Sequence, residues 1–271
     1  MTDLKPLKDK TAIVTGASRG IGMAIAEGFA KAGASVSIAA RNKRDLSSVE
    51  THIKKFNPNV IAFQTDVSQS EDVDALINNT LKSFGQIDIL VNNAGVYKEL
   101  ALVPFPDQTL TPPSVMRSSS KRMTDDEFRQ IIDTNIGGVF YGCRAVAPSM
   151  MDQRYGKIIN LSSIAATKAS TLQAVYATSK TAVNMLTSAL ALEWAEYGIR
   201  VNSIAPGMYE TSMTSRAWDD PKRKQRNLKR IPLSQPGDMD GLVALAIFLA
   251  SPESDYITGQ TIYIDGGLSA L

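Results

Sequence analysis

The chain reads as an α/β protein: a single doubly wound domain, residues 1–271, built on a mostly parallel, seven-stranded sheet. Three observations predict this. Short buried-strand patterns alternate with helical runs from one end of the chain to the other, as they do when crossover helices cover a parallel sheet. The first strand runs straight into a glycine-rich turn that opens a helix. The composition, 44% hydrophobic and 21% charged over 271 residues, suits a chain long enough to cover both faces of such a sheet.

Residues 11–15 (Thr-Ala-Ile-Val-Thr) form the first strand, followed by Gly16-Ala17-Ser18-Arg19-Gly20-Ile21-Gly22 and a helix through Ala32. Gly16 permits the tight turn, Gly20 lets the backbone approach a pyrophosphate, and Gly22 allows close helix packing. The helix N-terminus offers free N–H groups and a positive dipole end to the anion. In this strand–turn–helix context a glycine motif signifies a Rossmann-type dinucleotide site, here with Gly-x-x-x-Gly-x-Gly spacing. The second strand, 35–40, ends in Ala40-Arg41-Asn42-Lys43-Arg44. An acid at this strand end binds the ribose hydroxyls of NAD, whereas an arginine accommodates the 2′-phosphate of NADP. The first acid is Asp45, so Arg41, joined by Arg19 from the glycine loop, predicts NADP(H). NAD(H) is the alternative if the basic cluster is a solvated turn.

The third strand, 60–64, leads to Asp66-Val67, and a helix over 73–84 and a strand over 87–91 follow. Asn92-Asn93-Ala94-Gly95 then offers small, hydrogen-bonding residues suited to the close passage of a ribose or nicotinamide. Over 96–123 the pattern stops: the segment holds Pro104, Pro106, Pro112, Pro113, three consecutive serines from Ser118, and Arg117, Lys121 and Arg122. It is too long for an ordinary connection. It reads as an insertion, either a lid or a disordered segment, over the crevice at the strand's C-terminal end.

From Thr124 a Thr-Asp-Asp-Glu capping pattern starts a long helix, expected to run to about Gln153. Asn135 is unfavourable inside a helix, and with Gly137-Gly138 beside it predicts a local bulge. A strand over 157–161 delivers Ser162-Ser163, and another over 200–205 ends at Pro206-Gly207. A helix over 238–250 and a strand over 261–264 close the domain.

Tyr176 and Lys180 open the helix that follows Ser163. Four residues apart, they share one helix face, which sets an ammonium beside a phenol. A free phenol titrates near ~10, and a neighbouring positive charge lowers that value. A shift of ~3 units requires about 4 kcal/mol, so the site is expected to be partly desolvated, with help from the charge of a bound cofactor.

Other functions are excluded or left without support. A net charge of +2 gives no argument for nucleic acid or membrane partners. The longest apolar stretch, 242–250, is too short to span a bilayer. The single cysteine, Cys143, allows no disulfide framework and reads as a core residue. The single histidine, His52, excludes a serine–histidine triad and a histidine-based metal site. No metal is expected, and a cytoplasmic setting is.

Thr15-Gly-Ala-Ser-Arg-Gly-Ile-Gly22, Asn92-Asn-Ala-Gly95, Asn135, Ser163, Tyr176-x-x-x-Lys180 and Pro206-Gly207, in this order, resemble the short-chain dehydrogenase/reductase family over the whole chain. The resemblance implies hydride transfer between a nicotinamide and a carbonyl or alcohol carbon. By it, Tyr176 is the general acid in reduction and general base in oxidation, and Lys180 tunes the phenol and holds the nicotinamide ribose. Ser163 polarises the substrate oxygen, and Asn135 holds a proton-relaying water. Asp66 and Val67 correspond to adenine contacts, Asn93, with Ala94 and Gly95, to the ribose region, and Tyr209 and Thr211, after Pro206-Gly207, to contacts near the nicotinamide amide. A homotetramer or homodimer is implied. The chain departs from the family at 96–123: 41 residues lie between Asn93 and Asn135, more than the family norm.

Residues 208–235 occupy the family's substrate loop, and 215–230 is strongly basic. The leading substrate is a sugar, sugar acid or related ketone, with a 3-oxoacyl thioester (acyl carrier protein or CoA) as alternative. An epimerase or dehydratase with retained cofactor, and a non-catalytic nucleotide sensor, are the readings from other classes.

Overall fold

Seven strands form one sheet in the computed structural model, which describes residues 5–103 and 122–271. They are β1 (Thr11–Thr15), β2 (Ser35–Ala40), β3 (Val60–Gln64), β4 (Ile89–Asn92), β5 (Gly156–Leu161), β6 (Ile199–Pro206) and β7 (Thr261–Ile264). Their order is β3-β2-β1-β4-β5-β6-β7 and every pairing is parallel. β1 lies between β2 and β4, with Ile13 opposite Ser37 on one side and Leu90 on the other. The strand order reverses there, which opens a crevice at the strands' C-terminal ends.

The two faces carry separate cores. On one, α1 (Gly20–Lys31), α2 (Lys43–Lys54) and α9 (Met239–Ala250) bury Ile25, Phe29, Leu46, Leu242 and Leu249 against the sheet. A Cβ at Gly28 would overlap Val243, so α1 and α9 pack at a distance only a small residue allows. On the other face, α3 (Ser70–Phe84), α5 (Gly138–Asp152) and α6 (Ala174–Trp194) bury Leu76, Val139, Val146 and Val183. Cys143 is part of this second core, as its neighbours predict. Each such side chain removed from water contributes roughly 1.5–3 kcal/mol.

The helix expected from Thr124 to Gln153 is three pieces: α4 (Asp125–Ile132), a π-helical turn (Asp133–Gly137) and α5. The capping box forms: Glu127 N donates to Thr124 Oγ1 at 3.2 Å, and Thr124 N donates to Glu127 Oε2 at 3.0 Å. The bulge predicted at Asn135 is the π turn, a feature that recurs at functional sites. The basic segment folds into α7 (Ser215–Trp218) and α8 (Pro221–Arg230).

Residues 104–121 lie outside the described residues, and with them the lid expectation for that stretch. The ends of the insertion are tied together where Met123 N donates to Ala101 O at 2.9 Å, and Leu100 N donates to Leu172 O, just before α6, at 2.9 Å. Met123, Ile131 and Val175 form a small apolar cluster there, packed by Val96, Leu100 and Ile132. Among the described residues, no helix is long and apolar enough to cross a membrane, and no group of His, Cys, Asp and Glu could hold a metal ion.

Candidate active site

The glycine loop turns at Gly16 (φ +65°), where a Cβ would lie 2.8 Å from Ala94 Cα. At Gly22 a Cβ would overlap Asn93 Nδ2 and meet Gly16 O at 2.5 Å. Asn93 holds this turn shut, its Nδ2 donating to Thr15 O at 2.9 Å and Gly16 O at 3.2 Å. Thr15 Oγ1 in turn accepts from Asn93 N and Ala94 N. The amide of Asn93, expected at the ribose, is therefore first a clamp between the loops after β1 and β4. Gly20 (φ +57°) is open, with only Thr211 within 4 Å of where its Cβ would be, at 3.7 Å. Thr211 thus stands across the mouth of the glycine loop.

A dinucleotide fits this cradle. Arg19, at the N-cap of α1, supplies no side-chain cap, and the first turn holds no acid. Its N–H groups and dipole end remain available to a pyrophosphate. Ser18 lies half-buried in the loop, and Ile21 packs its side chain on the core below. Arg19 and Arg41 are both exposed, while Asp45 lies in the first turn of α2. Asp66 ends β3's loop with Oδ1 accepting from Ser68 N at 3.0 Å and Ser68 Oγ at 2.7 Å. Val67 is buried beneath Gly138, whose Cβ would sit 2.8 Å from Val67 Cγ2.

Pro206 closes β6 opposite Ile264, and Gly207 N donates to Ile264 O at 3.0 Å. Tyr209, expected near the nicotinamide amide, follows Pro206-Gly207 directly after Met208. Its ring is buried against Gly237, where a Cβ would overlap it, and burial pushes the phenol up to about 12. Its carbonyl is taken by Thr214 Oγ1 and Trp218 Nε1. The side chain is a packing element that anchors α7.

At the C-terminal ends of β4 and β5 the remaining site residues converge. Gly95 is the meeting point: a Cβ there would lie 3.5 Å from Asn135 Oδ1 and 3.6 Å from Lys180 Nζ. Ser162 is buried, its hydroxyl donating to Lys180 O at 3.2 Å. Ser163 stands in extended backbone and places its hydroxyl at the Tyr176 phenol. Lys180 is buried, and its Nζ donates to Leu161 O at 2.6 Å.

The electrostatics differ from the sequence expectation. Burial pushes the Tyr176 phenol up, and the Ser163 hydroxyl partly offsets this. The Lys180 ammonium lies 6.0 Å from the Tyr176 ring centroid and is bonded to a carbonyl. In this structure desolvation therefore outweighs the cation. Burial also pulls Lys180 itself down to about 8.

Asn135 Nδ2 donates to Val96 O and to Ser179 Oγ, both at 3.0 Å, and its Oδ1 accepts from Val96 N at 2.7 Å. The amide pins three elements together.

Sequence reasoning missed Tyr97. Its ring meets Tyr176 edge to face, centroids 4.9 Å apart and planes at 87°. Gln173 Nε2 donates to Tyr97 Oη at 2.8 Å, and Tyr97 Oη donates to Glu99 Oε1 at 2.5 Å. Only its position two residues beyond Gly95 could have flagged it.

A strand–glycine-turn–helix cradle beside a half-buried tyrosine, a buried lysine and a serine hydroxyl defines a dinucleotide-dependent oxidoreductase. A family model described as enoyl-(acyl carrier protein) reductase matches residues 16–269. The chain is 39% identical to 3beta-hydroxysteroid dehydrogenase 1 of Eggerthella lenta, covering 97% of this chain and 95% of that one. It is 38% identical to the 3-oxoacyl-(acyl-carrier-protein) reductase FabG of Staphylococcus epidermidis, covering 96% and 99%. The structure of a gluconate 5-dehydrogenase from Burkholderia cenocepacia, in complex with NADP and tartrate, superposes with a TM-score of 0.86 at 35% identity, covering 99% and 98%. The chain belongs to the short-chain dehydrogenase/reductase family, NAD(P)-dependent enzymes that act on CH–OH or carbonyl groups.

Proposed function

We propose that this enzyme moves a hydride between NADP(H) and a ketone or secondary alcohol of a small sugar-like molecule, with Tyr176 as the proton-transfer residue. The observation that carries this reading is the convergence of Ser163, Tyr176 and Lys180 beside Gly95 and Asn135 at the mouth of the cradle. The nicotinamide, when bound, supplies or accepts the hydride. Ser163 donates a hydrogen bond to the substrate oxygen and stabilises the negative charge that develops there. Tyr176, held protonated by burial, gives its proton to that oxygen in reduction and recovers it in oxidation. Lys180 holds the ribose, together with the glycine loop and Asn93, Ala94 and Gly95.

Preference for NADP(H) over NAD(H) rests on Arg19 and Arg41 and on the absence of an acid at the end of β2. The likeness to an NADP-bound gluconate 5-dehydrogenase supports it. That likeness also supports a sugar or sugar acid as substrate. The 38% identity to a 3-oxoacyl-thioester reductase supports the second reading, a 3-oxoacyl thioester. The basic face of α8 adds less to that second reading than the sequence suggests, because Lys224 pairs with Glu210 at 2.8 Å and lies over the Trp218 ring. We take residues 208–235 as the substrate loop. Exposed Phe140, Met185 and Leu192 on α5 and α6 support a homo-oligomer.

The test is a panel of sugars, sugar acids, cyclic ketones and 3-oxoacyl thioesters assayed with NADPH and NADH, alongside Tyr176→Phe. Turnover of at least one carbonyl with NADPH, lost in Tyr176→Phe, is expected. Full activity in Tyr176→Phe overturns the proton-transfer assignment.

A further inference from the structure

We propose that Tyr97 and Glu99 form the specificity-determining wall of the reactive pocket, one that admits uncharged ketones and alcohols and disfavours anionic ones. The proposal deepens the functional reading above and rests on Tyr176 being the reacting phenol.

The wall is built, not incidental. Asn135 holds both backbone polar groups of Val96, which fixes the residue immediately before Tyr97. Leu100 N reaches Leu172 O, and Leu172 is held at φ +66°, a conformation uncommon for a bulky side chain. Gln173, next in the chain and three residues before Tyr176, donates to the Tyr97 hydroxyl. The segment 96–100 is thus stitched to the π turn on one side and to the approach of α6 on the other. The Tyr97 ring lies edge to face on Tyr176, an arrangement favourable in itself.

The chemistry of the wall follows from its two ends. Val96 and Leu100, on either side of it in the chain, pack on the apolar cluster of Met123, Ile131 and Val175. At the outer end, the Glu99 carboxylate accepts from the Tyr97 hydroxyl. Burial, and then that carboxylate, hold the Tyr97 phenol far above the usual range, so the phenol is the donor and the carboxylate the acceptor of this bond. The cation next to it in the chain, Lys98, is paired with Glu127 at 3.7 Å. A substrate reaching Tyr176 meets an aromatic surface backed by a carboxylate. An uncharged ring or polyol packs and hydrogen-bonds there, whereas a substrate carboxylate is repelled. Of the sugar-type substrates this favours the neutral ketone over the sugar acid.

A matched pair of ketones tests the wall: 4-(hydroxymethyl)cyclohexanone and 4-oxocyclohexanecarboxylate, assayed with NADPH in wild type, Glu99→Gln, Tyr97→Phe, Tyr97→Ala and Tyr176→Phe. The wild type is expected to favour the neutral ketone in kcat/KM. Glu99→Gln is expected to shift the neutral-to-carboxylate ratio about tenfold toward the carboxylate, with a smaller shift at 1 M salt. Tyr97→Ala is expected to lower kcat/KM for both ketones about tenfold or more, and Tyr97→Phe to restore most of it for the neutral one. A wild type that prefers the carboxylate, a ratio that Glu99→Gln does not move, or turnover of neither ketone overturns the proposal. Tyr176→Phe separates the two readings. If it is silent while Glu99→Gln leaves the ratio alone, only the wall fails; if it is fully active, the proton-transfer reading fails whatever the ratio does.

Discussion

The side-chain amide of Asn135 forms a two-way pair with the backbone of Val96, accepting from its N–H at 2.7 Å and donating to its carbonyl at 3.0 Å. A third bond, to Ser179 Oγ, reaches α6 one residue before Lys180. One side chain therefore locates the π turn, the segment after β4 and the helix that carries the reacting groups. The π turn is the local consequence, since a regular helix would rotate Asn135 away from Val96.

Replacing Asn135 by alanine removes all three bonds and leaves two backbone groups of Val96 without their partner. The expected cost is roughly 2–4 kcal/mol, read from the midpoint of denaturant unfolding. Activity is expected to fall more than stability alone explains, because Tyr97 and Lys180 lose their common anchor.

Tyr176→Phe is expected to reduce kcat by roughly 100- to 10,000-fold in both directions while cofactor binding, followed by nicotinamide fluorescence, stays near wild type. Burial raises the phenol and Ser163 offsets it, so oxidation, which needs the phenolate, is expected to accelerate as pH rises above neutrality. Ser163→Ala removes a stabilising neighbour in that balance. Its oxidative limb is expected at higher pH than the wild type's, as well as at lower amplitude.

Buried Lys180 makes stability depend on pH. Its folded value is pulled down to about 8 from an unfolded value near ~10.4. Between these the unfolded chain binds more protons, so stability rises with pH across that window and is flat, at its lower level, below it. The full difference is roughly 3 kcal/mol. Thermal melts of wild type against Lys180→Met should show the wild type gaining on the variant between pH 8 and 10.5. A gap independent of pH would rule this out.

Arg41→Asp places an acid near the end of β2, where a ribose 2′-hydroxyl would be bound, and removes a phosphate partner. The expected outcome is a rise of about 10-fold or more in KM for NADPH and a fall in KM for NADH. Equal selectivity before and after the change would end the 2′-phosphate reading.

Gly237→Ala tests packing away from the chemistry. The added methyl would overlap the Tyr209 ring, and overpacking of this kind costs about 1–3 kcal/mol. Its melting temperature is expected to fall several degrees, with the cofactor KM affected through the displaced Thr211.

Much of the fold was legible in the residues because local signals and burial agree. The five residues of β1 are all buried, and their unbroken Thr-Ala-Ile-Val-Thr run reflects a strand covered on both faces. The Thr124–Glu127 box marked a helix start to the residue. Asn135 beside Gly137-Gly138 marked the bulge, although not that it would be a π turn. Tyr97 was not legible: no periodicity or spacing distinguishes a tyrosine in a loop, and its importance depends on Gln173, 76 positions away. The packing of the Tyr209 ring was not legible either, since what it lies against is Gly237, far along the chain.

The parallel α/β architecture, the glycine cradle and the identity of the residues that meet at its mouth are written in the chain itself. These follow from patterns a few residues wide: buried runs, helix periodicity, turn residues and a four-residue spacing. Only the tertiary structure decided what those residues experience. Whether Lys180 or burial governs the Tyr176 phenol, whether Asn135 stands open or is spent on Val96, and what forms the wall beside Tyr176 depend on distances between segments remote in the chain. Electrostatics and hydrogen bonding act through those distances, not through sequence separation.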